Sequence, residues 1–203
     1  MATLLNIEKL AKSYGPRVIF KDVTFAVNEK QKIGLIGRNG AGKSTLLRMI
    51  LGDEEVDSGT IFLHDIVRLG YVEQHEKIDL TQTALSYLET QTNQPAWQCA
   101  KVAGKFELKP YHLDQTISEL SGGYRMRLKL ACMLLKDPNL FLLDEPTNYL
   151  DVHTQILLEK FLQNYNGAFI IVSHDREFLK RTCEQTLEIE QGGIIFYPRP
   201  IDE

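Results

Sequence analysis

The chain has 203 residues, 43% of them apolar and 25% charged, the balance of a folded globular protein rather than of a disordered, collagenous or bare coiled-coil chain. Twenty-three Lys and Arg against 27 Asp and Glu leave a formal charge of −4, which gives no global attraction to nucleic acid or to an anionic membrane. The longest unbroken apolar run, Leu130 to Leu135, has six residues, where a membrane-spanning helix needs roughly 20. The N-terminal residues Met1 to Glu8 lack a basic segment ahead of an apolar one, so no signal peptide is expected.

In chain order, Leu4 to Lys9 and Val23 to Val27 alternate apolar and polar residues, the period of half-buried strands. Lys32 to Ile36 is more continuously apolar, as expected of a strand covered on both faces. Ser44 to Leu51 suits a helix. Asp57-Ser58-Gly59 has turn chemistry and predicts a hairpin between two extended stretches. Val67 to Val72 is a further strand. From about Thr81 to Lys136 the spacing is helical, with Cys99, Val102, Ala103 and Phe106 on one face and Leu128, Ala131, Cys132 and Leu135 on another. Leu140 to Leu143 and Ala168 to Val172 read as buried strands, with a helix face of Leu158, Phe161, Leu162 and Tyr165 between them. A helix over Asp175 to Cys183 and strands over Thr186 to Ile189 and Ile194 to Tyr197 complete the pattern. Strands alternating with helices predict an α/β sheet with parallel strands, the helical middle being inserted into it. Three cysteines without a CxxC spacing favour a reducing, cytoplasmic compartment over a disulfide framework or thiolate zinc site. His64, His75, His112 and His153 show no metal-ligand spacing.

Gly37-Arg38-Asn39-Gly40-Ala41-Gly42-Lys43-Ser44 fits the pattern G-x-x-x-x-G-K-[ST]. Its glycines let successive N–H groups turn toward phosphate oxygens, and the helix beginning near Gly42 adds its positive dipole end. Lys43 would bridge the β- and γ-phosphates, and the Ser44 hydroxyl would ligate Mg²⁺. Leu140 to Leu143 would carry two carboxylates to the C-terminal end of a buried strand, where α/β sheets bind ligands. Asp144 would hold Mg²⁺ through water, and Glu145 would orient and polarise an attacking water. Pro146 disfavours a helical conformation at Glu145.

Leu120-Ser121-Gly122-Gly123-Tyr124 opens an amphipathic helix. Ser121, Gly122 and Gly123 make a second phosphate-ready helix N-terminus. Together with the phosphate loop and Asp144-Glu145, this segment resembles the signature of the ATP-binding cassette (ABC) family, and the resemblance covers the whole chain in the family's motif order. It implies one ABC ATP-binding domain over 1–203: an α/β P-loop NTPase cassette with a mostly parallel core sheet, an antiparallel β subdomain and a helical subdomain inserted at roughly 81–137. It implies ATP and Mg²⁺ as ligands. Tyr14 would stack on adenine, and the loop from Gly37 through Ser44, with Thr45, would hold the phosphates. Gln74 resembles the family's glutamine loop, placed near both metal and attacking water, and His174 in Ser173-His174-Asp175 resembles the switch histidine. Pro146 to Asp151 resembles the loop that crosses the dimer interface. Since the signature completes the site of a partner domain in this family, a second cassette is implied, as homodimer or tandem half.

Asn148-x-Leu150-Asp151, Tyr14-Gly15-Pro16-Arg17 and Val172 to Leu179 resemble the ABC-F group, cytoplasmic proteins without membrane domains, several of which act on ribosomes. Tyr149 stands where that group usually has His, and only 45 residues separate Gln74 from Leu120, too few for the group's long helical arm. The resemblance therefore implies Mg-dependent ATP hydrolysis coupled to the ribosome or translation, in one cassette of a longer protein. The alternative is the ATPase subunit of a membrane transporter. Lys101, Lys105 and Lys109 stand at i, i+4 and i+8 of a helix that Pro110 would end, and these or Arg125, Arg127 and Lys129 could meet rRNA phosphates or form a solvated face.

Overall fold

The computed structural model describes residues 2–72, 79–148 and 150–201. The chain opens with β1 (Thr3–Tyr14) and β2 (Arg17–Asn28), paired antiparallel around Gly15-Pro16. Gly15 takes a φ of 56°, a left-handed value that costs glycine little, while the proline ring fixes the φ that follows. β3 (Lys32–Gly37) leads through the glycine loop into α1 (Lys43–Leu51), followed by β4 (Ser58–Leu63) and β5 (Leu69–Val72).

The hairpin expected at Asp57-Ser58-Gly59 does not form. β4 pairs with the free edge of β1 instead, with Ser58 opposite Ala11. Gly59 has φ 85° and sits where a Cβ would collide with the Lys9 carbonyl, beside an irregularity in β1 between Glu8 and Ala11. The glycine serves a bulge and a close backbone approach, the other common use of Gly in a strand.

Helices α2 (Ala84–Thr92), α3 (Ala96–Gly104), α4 (Pro110–Asp114) and α5 (Gly122–Lys136) come next, then β6 (Leu140–Asp144), α6 (Val152–Asn164), β7 (Ala168–Val172), α7 (Arg176–Thr182), β8 (Gln185–Glu190) and β9 (Gly193–Tyr197). Among the described residues the strands form an antiparallel sheet, β2-β1-β4, and a mixed sheet, β5-β6-β7-β3-β8-β9, in which only β9 runs antiparallel to its neighbour. This is the expected architecture.

The mixed sheet separates two apolar cores. Phe141, Leu143, Phe169 and Ile171 face the helical side, with Cys99, Ala103, Phe106, Leu128, Ala131, Cys132 and Leu135. Leu140, Leu142, Ala168, Ile170 and Val172 face β1, β2 and α1. Alternate residues of β6 and β7 thus serve opposite cores, which is why both strands read as continuous apolar runs. Among the described residues no helix is long and apolar enough to cross a membrane.

The lysine stripe predicted over 101–109 is not on one helix. α3 ends at Gly104, Glu107 takes φ 59°, and Lys109 is the N-cap of α4. A proline at the first helical position opens a helix readily, so Pro110 begins α4 rather than ending α3.

Candidate functional site

The glycine loop lies at the C-terminal end of β3. Gly42, the N-cap of α1, has φ 108° and no side chain caps the turn. A Cβ on Gly42 would collide with Ile19 and stand 2.9 Å from Phe20 Cζ, so β2 can approach the loop only because this residue is glycine. First-turn N–H groups that no side chain accepts from are the groups that hold phosphate oxygens at a helix N-terminus. The buried Lys43 side chain folds back, Nζ donating to Gly37 O at 2.8 Å and to Arg38 O at 3.3 Å. Burial pushes its pKa down, against the pull of Glu145 and then Asp144. Arg17 Nη2 donates to Gly40 O at 2.5 Å, holding the loop from β2, and the side chain lines the same cleft as Lys43 and Ser44. No motif assigned Arg17 a part in the site, although it closes the Tyr14-Gly15-Pro16-Arg17 turn.

Facing the loop, β6 delivers Asp144 opposite Val172 of β7, and the Glu145 N–H donates to Val172 O at 2.8 Å. Glu145 takes φ 49°, so Pro146 follows a left-handed residue rather than an extended one. That turn aims the carboxylate at β7's end. The His174 N–H donates to Glu145 Oε2 at 3.4 Å, and His174 Nε2 lies 3.2 Å from Oε1. Oε1 is buried and, despite this approach, accepts no hydrogen bond of good geometry among the described residues. Burial raises the Glu145 pKa above the ordinary carboxylate value, with His174 pulling the other way; burial wins because it penalises the charged form directly.

Tyr14, Lys43, Ser44, Thr45, Asp144, Glu145 and His174 line one cleft of about 390 Å³. Asn39, Gly40 and Gly42 also border it, whereas Gly37, Arg38 and Ala41 face a larger cavity of about 650 Å³ on the other side of the loop. The half-exposed Tyr14 ring has Lys12 Nζ 5.1 Å from its centroid. Gln74 and Tyr149 lie outside the described residues. The donor set fits a hard cation: a serine hydroxyl and a carboxylate share the cleft, and Mg²⁺ is typically held by one or two such oxygens with phosphates and waters completing the shell. Ser44 and Asp144 would hold it.

Ser121, Gly122 and Gly123 are not walls of this cleft. They begin α5, where Ser121 Oγ accepts the Tyr124 N–H at 3.4 Å. Ser121 and Gly122 are exposed. Gly123 is buried against the start of α6, where a Cβ would stand 2.5 Å from Asp151 Oδ2 and 2.9 Å from Thr154 Oγ1. Asp151 caps α6, accepting the Thr154 N–H at 2.8 Å and the Thr154 hydroxyl at 3.0 Å.

Arg125, Arg127 and Lys129 of α5 are not a free phosphate-binding face. Arg127 is buried and donates twice to Thr154 Oγ1, at 3.1 Å from Nε and from Nη2. Lys129 is buried as well. Arg125 donates to Ile117 O at 3.0 Å and Ser118 O at 2.9 Å. The signal lay in the spacing: Gly123, Arg127 and Ala131 stand at i, i+4 and i+8, one face of α5, and all three are buried.

Residues 20–148 match the protein family described as ABC transporter. The energy-dependent translational throttle protein EttA of Escherichia coli (strain K12) is 39% identical over 201 residues, which cover 95% of this chain and 36% of that protein. The ribosome protection protein VmlR of Bacillus subtilis (strain 168) is 32% identical over 191 residues, 94% of this chain and 35% of that protein. The chain thus spans about a third of the length of these curated relatives. A solved structure, the ATP binding subunit of an ABC transporter, superposes with a TM-score of 0.84 at 22% identity, covering 96% of this chain and 90% of the other, a likeness of fold.

Proposed function

Because the chain belongs to the ATP-binding cassette family, we propose that it binds ATP in the cleft between the glycine loop and the ends of β6 and β7, and hydrolyses it. The observation that carries this reading is the partly buried Glu145 carboxylate, its buried Oε1 without a hydrogen bond among the described residues, in the same cleft as Lys43 and Ser44. The first-turn N–H groups of α1 and Lys43 would grip the phosphates, and the Tyr14 ring would cover the base. Ser44 and Asp144 would hold Mg²⁺, which supplies charge neutralisation at the β- and γ-phosphates. Glu145 would take a proton from water as the water oxygen bonds to the γ-phosphorus and the bridging oxygen leaves with ADP. His174, touching Glu145 from β7's end, would hold the carboxylate in place, and Gln74 is assigned to the same site by its motif.

A pH profile tests the assignment of Glu145. The carboxylate is the reactive form and burial raises its pKa, so the active fraction falls as pH drops through the raised value. Phosphate release measured from about pH 4.5 to 8 should show an acid limb above the ordinary glutamate range. A rate undiminished down to that range counts against Glu145 as the base.

Ser121 and Gly122 are exposed and lie outside their own chain's cleft, which supports closure of two cassettes head to tail, each signature completing the other's site. Similarity to the translational throttle protein EttA and the ribosome protection protein VmlR supports a role at the ribosome. The transporter alternative has the general description of the family and a likeness of fold behind it. Ribosome co-sedimentation of the full-length protein decides between them. Pelleting should rise with ATP and fall with ADP; pelleting at background under both would remove the ribosome as partner.

A further inference from the structure

We propose that Tyr124 is a positioning residue: clamped by His112 and Arg127, its ring fixes the first turn of α5 against the N-cap of α6 and so sets how Ser121 and Gly122 are presented to a second cassette. The proposal rests on the two-cassette reading above and extends it to side chains that touch no nucleotide.

The Tyr124 ring contacts His112, with centroids 4.1 Å apart, and the Arg127 guanidinium lies over it at 4.8 Å from its centroid. Neither neighbour is a mobile surface group. His112 is buried, and its Nδ1 accepts the Lys109 N–H at 3.0 Å, which ties the imidazole to the start of α4. The exposed Tyr111 packs on the outer side of His112 at 4.0 Å. Arg127 is held from two further directions: by Thr154 of α6, and by Glu107 between α3 and α4, whose Oε2 is 3.3 Å from Nη1 and 2.6 Å from His153 Nε2.

The clamp therefore joins three segments at one ring. α4 reaches it through His112, the α3–α4 link through Glu107 and Arg127, and α6 through Thr154 and Arg127. Thr154 in turn bonds the Asp151 carboxylate, against which Gly123 packs without room for a Cβ. Shortening the Tyr124 side chain removes the surface that His112 and Arg127 share, and the α5 turn loses its fixed angle to Asp151. Misplacement of a positioning group by about 1 Å can cost on the order of 100-fold in rate with the chemical groups intact.

The test compares Tyr124→Ala, Tyr124→Phe and His112→Leu in the full-length protein, by phosphate release, ATP affinity and amide hydrogen exchange. Tyr124→Ala and His112→Leu should lower kcat at least about tenfold while ATP affinity stays within about twofold. Exchange should quicken together in 121–125 and 151–155. Tyr124→Phe keeps the ring and should restore both rate and protection. Quickening confined to 121–125, equal loss of kcat in the Phe and Ala variants, or unchanged kcat in Tyr124→Ala would each overturn the clamp. If the wild-type protein itself releases no phosphate, the ATPase reading fails; exchange in 151–155 still decides the clamp.

Discussion

Glu145→Gln is expected to bind ATP as tightly as the parent chain while its turnover falls by roughly 100- to 10,000-fold, the usual contribution of a positioned general base. The amide keeps the shape of the carboxylate but cannot accept a proton from water. It also removes a partly buried charge whose Oε1 accepts no hydrogen bond among the described residues, so the variant should fold at least as stably as the parent. On the two-cassette reading proposed above, hydrolysis would be the step that reopens the pair, so with ATP bound and chemistry blocked two cassettes should stay closed. Light scattering with ATP, with ADP and without nucleotide reads this directly: only ATP should shift the mass of the isolated chain to a pair. Adding Ser121→Arg should abolish the shift by placing a long side chain on the exposed turn of α5. Parental turnover in Glu145→Gln would overturn the role of Glu145. A strictly monomeric chain would overturn self-pairing and leave a different second cassette as the partner.

Lys43→Ala should weaken ATP binding by about 10- to 100-fold, corresponding to the loss of a charge-assisted contact of about 1.5–3 kcal/mol. Two effects add. The phosphates lose the cation that the loop presents to them, and Gly37 O and Arg38 O lose the donor that holds the loop's curl. The second effect should appear without nucleotide, as faster amide exchange across residues 37–42. Calorimetry checks the first; an unchanged affinity would remove Lys43 from the phosphate site. Burial lowers the Lys43 pKa against the pull of Glu145 and Asp144, so an anion bound beside it would further favour the charged ammonium.

The buried strands β6 and β7 were legible because both faces are covered, which leaves no polar residue within Leu140 to Leu143 or Ala168 to Val172. The phosphate loop was legible because its glycines and Lys43-Ser44 stand within eight consecutive residues, and Gly42 takes a left-handed φ at the N-cap of α1 whatever packs against it. Where the sequence misled, a residue's partner was remote. Gly59 faces the Lys9 carbonyl, which is 50 positions earlier in the chain and brought close only when β4 pairs with β1. Lys101, Lys105 and Lys109 keep helical spacing, yet the helix stops at Gly104, and spacing alone does not register a break inside an otherwise periodic run. Arg127 looked like a surface cation because its partners, Glu107 and Thr154, lie on either side of it in sequence at separations of 20 and 27.

Glu145 carries one more consequence. A residue with a side chain held at φ 49° ahead of proline costs on the order of 1 kcal/mol over its relaxed backbone, and burial of its carboxylate adds to that cost. Glycine at this position would relieve both. Stability and turnover therefore pull in opposite directions at a single residue. A laboratory selection for thermal robustness alone would tend to collect substitutions at 145 that fold better and no longer hydrolyse, so robustness in variants of this protein is a poor surrogate for activity.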